Sequence, residues 1–501
     1  MKSLKLKYSL LVAVCIVFYA CRKDHTNMDL ISLPHLTVDT VGQKTSFEVR
    51  QNLDEVTIDP KIVGNTTTDS QTYLWRIYAE DTGFSDTLSN EKTFKQTIKK
   101  APGTYTLEFQ AKQSNGVKSF MRYNVTVAKK LPYGWVVVYE TPEGTTDLGY
   151  FRTSEIVKNL TSDVVLKDLY KAANGSAFPG PPLAIGINGV NVFLYSTKEA
   201  AGLYDSDFSK IISFSTLFVG APPSEPNIQG IFGSTNFQLI NNGKVYFMDN
   251  NIYLGQVVVD NKGYQVDPTG GIASGGARTG IFFDILNKRF INLGQFVVTG
   301  TTFIDANAGA RFSLNSINKR LIYGDQSAPG FSNANKVTIF EDLDKSKRWL
   351  YGINFNTPAT PDRFLIDMSV MPNILQAKYF ELSKLGEAIA PIGFYATESQ
   401  IYNYNYSIAD NSILYTRAGF TAPAGESITA MKLFRDNGSG GYTATDTRSN
   451  RLLFVATWNE AAKNGKVYLI QVNGTSGDMT TTPLKVIEGF GKIKDMALKP
   501  S

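Results

Sequence analysis

The side chains that most often carry catalysis or bind metals are scarce in this 501-residue sequence, which has two histidines and two cysteines. Both histidines, His25 and His35, precede the body of the chain. A Ser-His-Asp or Cys-His arrangement needs an imidazole in the folded part, so no catalytic residue of that kind is available. Histidine- and cysteine-based zinc, copper and iron sites are excluded on the same ground, and no metal ligand or cofactor is assigned. Carboxylates remain, and two of them about 5–10 Å apart could run glycoside chemistry. Candidates are Asp284, Asp305, Asp325, Asp367 and Glu398, although most sit in turn phrases where Asp caps its own backbone. For binding, the stretch Ile401-Tyr402-Asn403-Tyr404-Asn405-Tyr406 would place Tyr402, Tyr404 and Tyr406 on one face of a strand. Three aligned rings could stack on sugars or peptide side chains, and the same alternation also describes a strand with its tyrosines packed inward. Trp349 and Trp458 share that ambiguity.

The cysteines point to an anchor. Lys2, Lys5 and Lys7 precede a short apolar run over 8–20, the layout of a secretory signal rather than a permanent span. The run ends Phe18-Tyr19-Ala20-Cys21, which resembles a lipobox, with Phe at a position where Leu is commoner. Cys15 lies inside the signal, so the processed chain would keep one cysteine, at its first position, and no disulfide. The expectation is a signal peptide over 1–20, lipid attachment at Cys21 and a tether over 21–35, with the membrane held by the lipid.

Bulk composition favours β structure. Aromatic residues make up 12% of the chain, with 25 Tyr and 31 Phe, and Asn- and Gly-rich turns recur. The formal charge of +5 falls to about +2 without the three signal lysines, and no basic stripe marks a nucleic-acid surface.

Residues 36–130 alternate in short strands. Pro102-Gly103 makes a turn, after which Tyr105, Leu107 and Phe109 share one face. About 95 residues of this kind predict an immunoglobulin-like β-sandwich without a disulfide, with Trp75 in its core. Tyr73-Leu74-Trp75, Pro102-Gly103-Thr104-Tyr105 and Tyr123-Asn124-Val125-Thr126-Val127 resemble the PKD-like modules of surface lipoproteins from Bacteroidota. Gly134-Trp135 with the apolar strand after it is similar to the opening of the larger C-terminal region of such proteins.

Beyond Trp135 a hairpin phrase recurs loosely at 283–291, 312–323, 406–415 and 445–454, with looser versions at 186–195, 237–247 and 342–351. The second strands open at Val190, Val245, Phe290, Leu321, Trp349, Ile413 and Leu452, on average about 44 residues apart, near the length of a four-stranded propeller blade. Radial stacking would supply each hairpin with neighbours. The fold expectation is therefore all-β: a PKD-like sandwich over 36–130, then a degenerate β-propeller of about seven blades over 131–501. A large irregular β-sandwich is the alternative, and 153–173 and 373–385 are the best helix candidates.

The resemblance implies a cell-surface, outer-membrane accessory lipoprotein. Such a protein would serve a starch-utilisation-type uptake system, beside a TonB-dependent transporter and its SusD-like lipoprotein, and would capture an oligosaccharide or peptide. A surface glycoside hydrolase or lyase using paired carboxylates, and a docking lipoprotein without a ligand of its own, are the competing expectations.

Overall fold

The computed structural model describes residues 35–500 except 65–70, 80–83, 161, 234–235, 274–279, 295–297, 325–334, 384–390, 436–439 and 442–447. The signal peptide, Cys21, almost all of the tether and Asp325 lie outside the described residues. The chain forms two compact units, Met1–Lys129 and Lys130–Ser501. No helix among the described residues is long and apolar enough to cross a membrane.

The first unit is a β-sandwich. Its five-stranded sheet has the spatial order Ser46–Arg50, Lys118–Ala128, Gly103–Gln113, Gln71–Tyr78, Ser85–Ser89. The first pair is parallel, the others antiparallel. Two short pairs, Leu36–Asp39 with Lys61–Gly64 and Glu55–Ile58 with Phe94–Thr97, supply the remaining strands. Period-2 alternation sends Trp75, Ile77, Leu107, Phe109, Tyr123 and Val125 into one core. Trp75 is fully buried, with ring centroids of Phe109, Phe94 and Tyr123 at 4.7, 5.1 and 5.8 Å, and its indole N–H donates to Glu91 O at 3.0 Å. The expected core role of Trp75 is thus what the packing shows.

The second unit is a β-propeller of seven four-stranded antiparallel sheets. Blade 2 is Pro182–Asn188, Asn191–Ser196, Ala200–Tyr204 and Lys210–Ile212; blade 3 is Ile228–Phe232, Gln238–Asn241, Lys244–Asp249 and Ile252–Gln256. Blade 4 is Val266–Ala273, Gly280–Asp284, Arg289–Leu293 and Gly300–Thr302; blade 5 is Lys319–Gly324, Asn335–Asp342, Arg348–Asn354 and Asp362–Asp367. Blade 6 is Tyr379–Leu382, Ile392–Ala396, Gln400–Ser407 and Ser412–Thr421; blade 7 is Glu426–Leu433, Leu452–Asn459, Asn464–Gln471 and Lys485–Phe490. Blade 1 joins the two ends of the unit: Lys492–Lys499 pairs with Gly134–Glu140, which continues to Thr146–Arg152 and Val164–Leu166. That pairing closes the ring.

Seven apolar clusters fill the seven gaps between neighbouring blades. Each second strand serves two of them at once. Val136 faces the gap to blade 2 while Val137 faces the gap to blade 7, and Leu239 and Ile240, Phe282 and Phe283, and Ile339 and Phe340 divide in the same way. A strand packed on both faces reads as a continuous apolar run, not an alternating one. The irregular β-sandwich alternative for this region is thereby set aside.

Three local expectations change. The phrase over 312–323 is not a hairpin, because its first half is the connection from blade 4 to Lys319–Gly324. In 153–173 the chain forms turns and the strand Val164–Leu166, and helix is confined to Leu169–Asn174. Val164 and Val165 favour that strand, and the buried Asp147 carboxylate accepts the helix's Tyr170 N–H at 2.9 Å. In 373–385 only the 3-10 turn Ile374–Gln376 forms before the strand Tyr379–Leu382 takes over.

Candidate functional site

Because the strands of a blade are antiparallel, the start of the first strand, the turn between the second and third, and the connection from the preceding blade share one end of the propeller. At that end a groove of about 860 Å³ lies between blades 5 and 6. Arg320 and the turn 341–348 of blade 5 form one bank; the connection 373–378 and the turn 397–402 of blade 6 form the other. The floor is a buried ion pair, Arg348 with Glu341 at 3.0 Å, and Arg348 also donates to Ile374 O at 2.5 Å and Ala377 O at 2.8 Å. Burial pulls the Arg348 pKa below its ordinary value against the opposing pull of Glu341. This pair fixes the connection between the two blades.

Tyr402 is the one tyrosine of the candidate ladder that reaches the groove. It stacks nearly parallel on Tyr395 with ring centroids 4.9 Å apart, and its hydroxyl accepts from Asn373 Nδ2 at 2.8 Å. All three tyrosines belong to the apolar cluster between blades 5 and 6, Tyr404 and Tyr406 almost completely buried and Tyr402 8% exposed. Tyr404 lies across its register partner Gly393, where a Cβ would stand 2.2 Å from the ring. An exposed three-ring platform therefore does not form, since a strand inside a blade has a neighbour on each face. Trp349 is half-buried outside the groove, donates to Asp342 Oδ1 at 3.1 Å and carries Lys319 Nζ 4.7 Å above its ring. Trp458, on blade 7, donates to Glu460 Oε2 at 2.6 Å. The structure does not bring the two tryptophans together with Tyr402.

The carboxylate candidates are dispersed and engaged. Asp284 is buried and accepts from Gln265 N, Leu286 N and Arg289 Nε. Asp305 accepts from Asn315 Nδ2 at 2.9 Å. Asp367 feels burial that raises its pKa, but Ser369 and Lys347 outweigh it and hold the carboxyl below its usual range. Glu398, in the groove, is held low by hydrogen bonding from Lys378. Groups of three or more metal-binding side chains do not occur among the described residues.

A second space was not legible in the sequence. Residues from all seven blades line a cavity of about 590 Å³, so it lies on the propeller axis. Its charged wall holds Lys432 and Asp495 at 3.3 Å and Arg435 and Glu381 at 3.4 Å; Asp495 Oδ2 also accepts the Ile185 N–H at 3.1 Å. A charge inside an apolar first strand, as at Lys432 in Glu426–Leu433, is the one signal that could have pointed there.

The PKD-like family matches residues 21–182, about a third of the chain. No curated protein sequence matches. Among solved structures, the chain is similar to a quinonprotein alcohol dehydrogenase-like protein from Bacteroides thetaiotaomicron, with 14% identity over 91% of this chain and 98% of that one and a TM-score of 0.40. It is also similar to the β-propeller domain of Swd1 from Myceliophteria thermophila, with 8% identity, coverage of 63% and 89% and a TM-score of 0.40. A third is the extracellular domain of a one-component system from B. thetaiotaomicron, with 9% identity, coverage of 79% and 57% and a TM-score of 0.39.

Proposed function

We propose that this PKD-like propeller protein is a lipid-anchored binding protein of the outer-membrane surface, held through Cys21, whose groove between blades 5 and 6 captures an oligosaccharide or peptide. The groove itself carries the reading. It combines volume for several sugar or peptide units with one largely buried aromatic ring, Tyr402, in its wall, and with hydroxyl, amide and cationic groups at its rim. Binding rather than catalysis is favoured by its carboxylates. A general acid needs a raised pKa, whereas Glu398 is held low by Lys378. In this reading the cargo passes to a TonB-dependent transporter with its SusD-like lipoprotein.

Screening the purified protein on glycan and peptide arrays tests the groove. Binding that falls several-fold in Tyr402→Ala supports it, since one aromatic contact is worth roughly 0.5–1.5 kcal/mol. Release of products, abolished by one Asp or Glu substitution, would establish the hydrolase instead. Metabolic labelling with palmitate, lost in Cys21→Ala, tests the anchor, and co-purification of the transporter tests the partner.

A further inference from the structure

The axial cavity is uneven around its circumference. Blades 2 and 5 contribute Ile187, Ile322 and Tyr323, all partly accessible, so one side is apolar. Blades 6, 7 and 1 contribute Lys378, Glu381, Lys432, Arg435, Lys494 and Asp495 to the lining. Of the four cations, Lys378 pairs with Glu398, Arg435 donates to Glu381 and to Leu382 O, and Lys432 lies 3.3 Å from Asp495, which also accepts the Ile185 N–H. Lys494 is left over. The Lys432 side chain is 40% accessible, so part of it faces the cavity. Lys494 is exposed and has no ion-pair partner among the described residues.

We propose that the axial cavity is a second binding site, separate from the groove, for a small organic carboxylate whose apolar body lies against Ile187, Ile322 and Tyr323 and whose anionic head meets Lys432 and Lys494. Asp495 keeps Lys432 cationic, raising its ammonium pKa against the opposing effect of burial. The cation is thus present throughout the ordinary pH range. The apolar side sets the requirement for a hydrocarbon body, and inorganic anions alone do not satisfy it.

The probes are hexanoate, hexanamide and hexylammonium, which share one apolar chain and differ in charge, titrated calorimetrically into the purified protein. Hexanoate should bind at one site about tenfold or more tighter than either of the others, the size expected for charge-assisted hydrogen bonds. Lys432→Gln should erase that preference while leaving the weaker hexanamide binding in place. Lys494→Gln alters an exposed side chain and should weaken hexanoate a few-fold even if the first variant fails to fold. Tyr402→Ala should leave hexanoate binding unchanged, which separates this site from the groove. Equal affinity for the three probes, no hexanoate binding at millimolar concentration, or wild-type affinity in Lys494→Gln would each overturn the proposal.

Discussion

The sandwich gathers its strands around a single core in which Trp75 touches three other rings, whereas the propeller distributes its apolar residues among seven gaps in series. Phe340 of the propeller also meets three rings, but it serves one gap of seven, whereas Trp75 serves the sandwich's single core. The propeller's sensitive point is topological, the pairing of Gly134–Glu140 with Lys492–Lys499. One unit depends on a keystone side chain and the other on a closing strand.

Three perturbations bear on that contrast. Deleting residues 492–501 should have the largest effect, because it strips the partner from the strand Gly134–Glu140 and opens two apolar gaps, those holding Ile493 and Ala497. Calorimetry should then show the propeller's melting transition lost and the sandwich's retained. Survival of the propeller transition within a few degrees would mean that closure is not its weak point. Next comes Trp75→Ala, expected to cost about 3–5 kcal/mol and to lower or abolish the sandwich transition alone. A comparable truncation, Phe340→Ala between blades 4 and 5, should move the propeller midpoint much less, because a larger unit spreads the same loss over a larger unfolding entropy. Equal shifts in the two would break the contrast.

The smallest effect concerns acid. Hydrogen bonds from Arg289 lower the Asp260 pKa to about 2, from an ordinary value near 3.8. A carboxylate with a depressed folded pKa stabilises fully above the unfolded value and loses that contribution as pH falls through the folded one. The propeller midpoint should therefore decline between about pH 4 and 2, and Asp260→Asn should flatten that decline. Asp260 is 35% accessible, so solvent screening keeps the change small. An unchanged acid profile in the variant would remove Arg289–Asp260 from the account of propeller stability.

The sequence exposes these features unevenly. Trp75 and its neighbours alternate cleanly because each sandwich strand has one buried face, and that pattern survives in one dimension. The propeller's hairpin phrases are visible but irregularly spaced, for a reason the blades make plain. The phrase at 186–195 is a first-and-second-strand hairpin, that at 283–291 a second-and-third, and that at 406–415 a third-and-fourth. Counted instead from the second strands, which begin at Gly134, Asn191, Gln238, Gly280, Asn335, Ile392 and Leu452, the intervals are about 40–60 residues, near the usual blade length. Blade 1 carries such a hairpin too, Gly134–Glu140 with Thr146–Arg152, although its first strand comes from the far end of the unit. Of the groove, only Tyr402 and Glu398 were legible. Arg320 comes from blade 5 and Asn373 and Lys378 from the connection to blade 6, none with a local signature, and the axial charges meet only once the ring exists.

The closing strand also sets a schedule. During synthesis Gly134–Glu140 emerges before the other six blades, and its partner follows only after all of them. For that interval an apolar strand waits with an unpaired edge, the condition in which chains most readily associate with one another. The propeller's most distant pairing is thus a timer: completion of the ring is coupled to completion of the chain. A pause in translation shortly before residue 492 would leave the molecule at its most aggregation-prone, whereas the sandwich would already be finished.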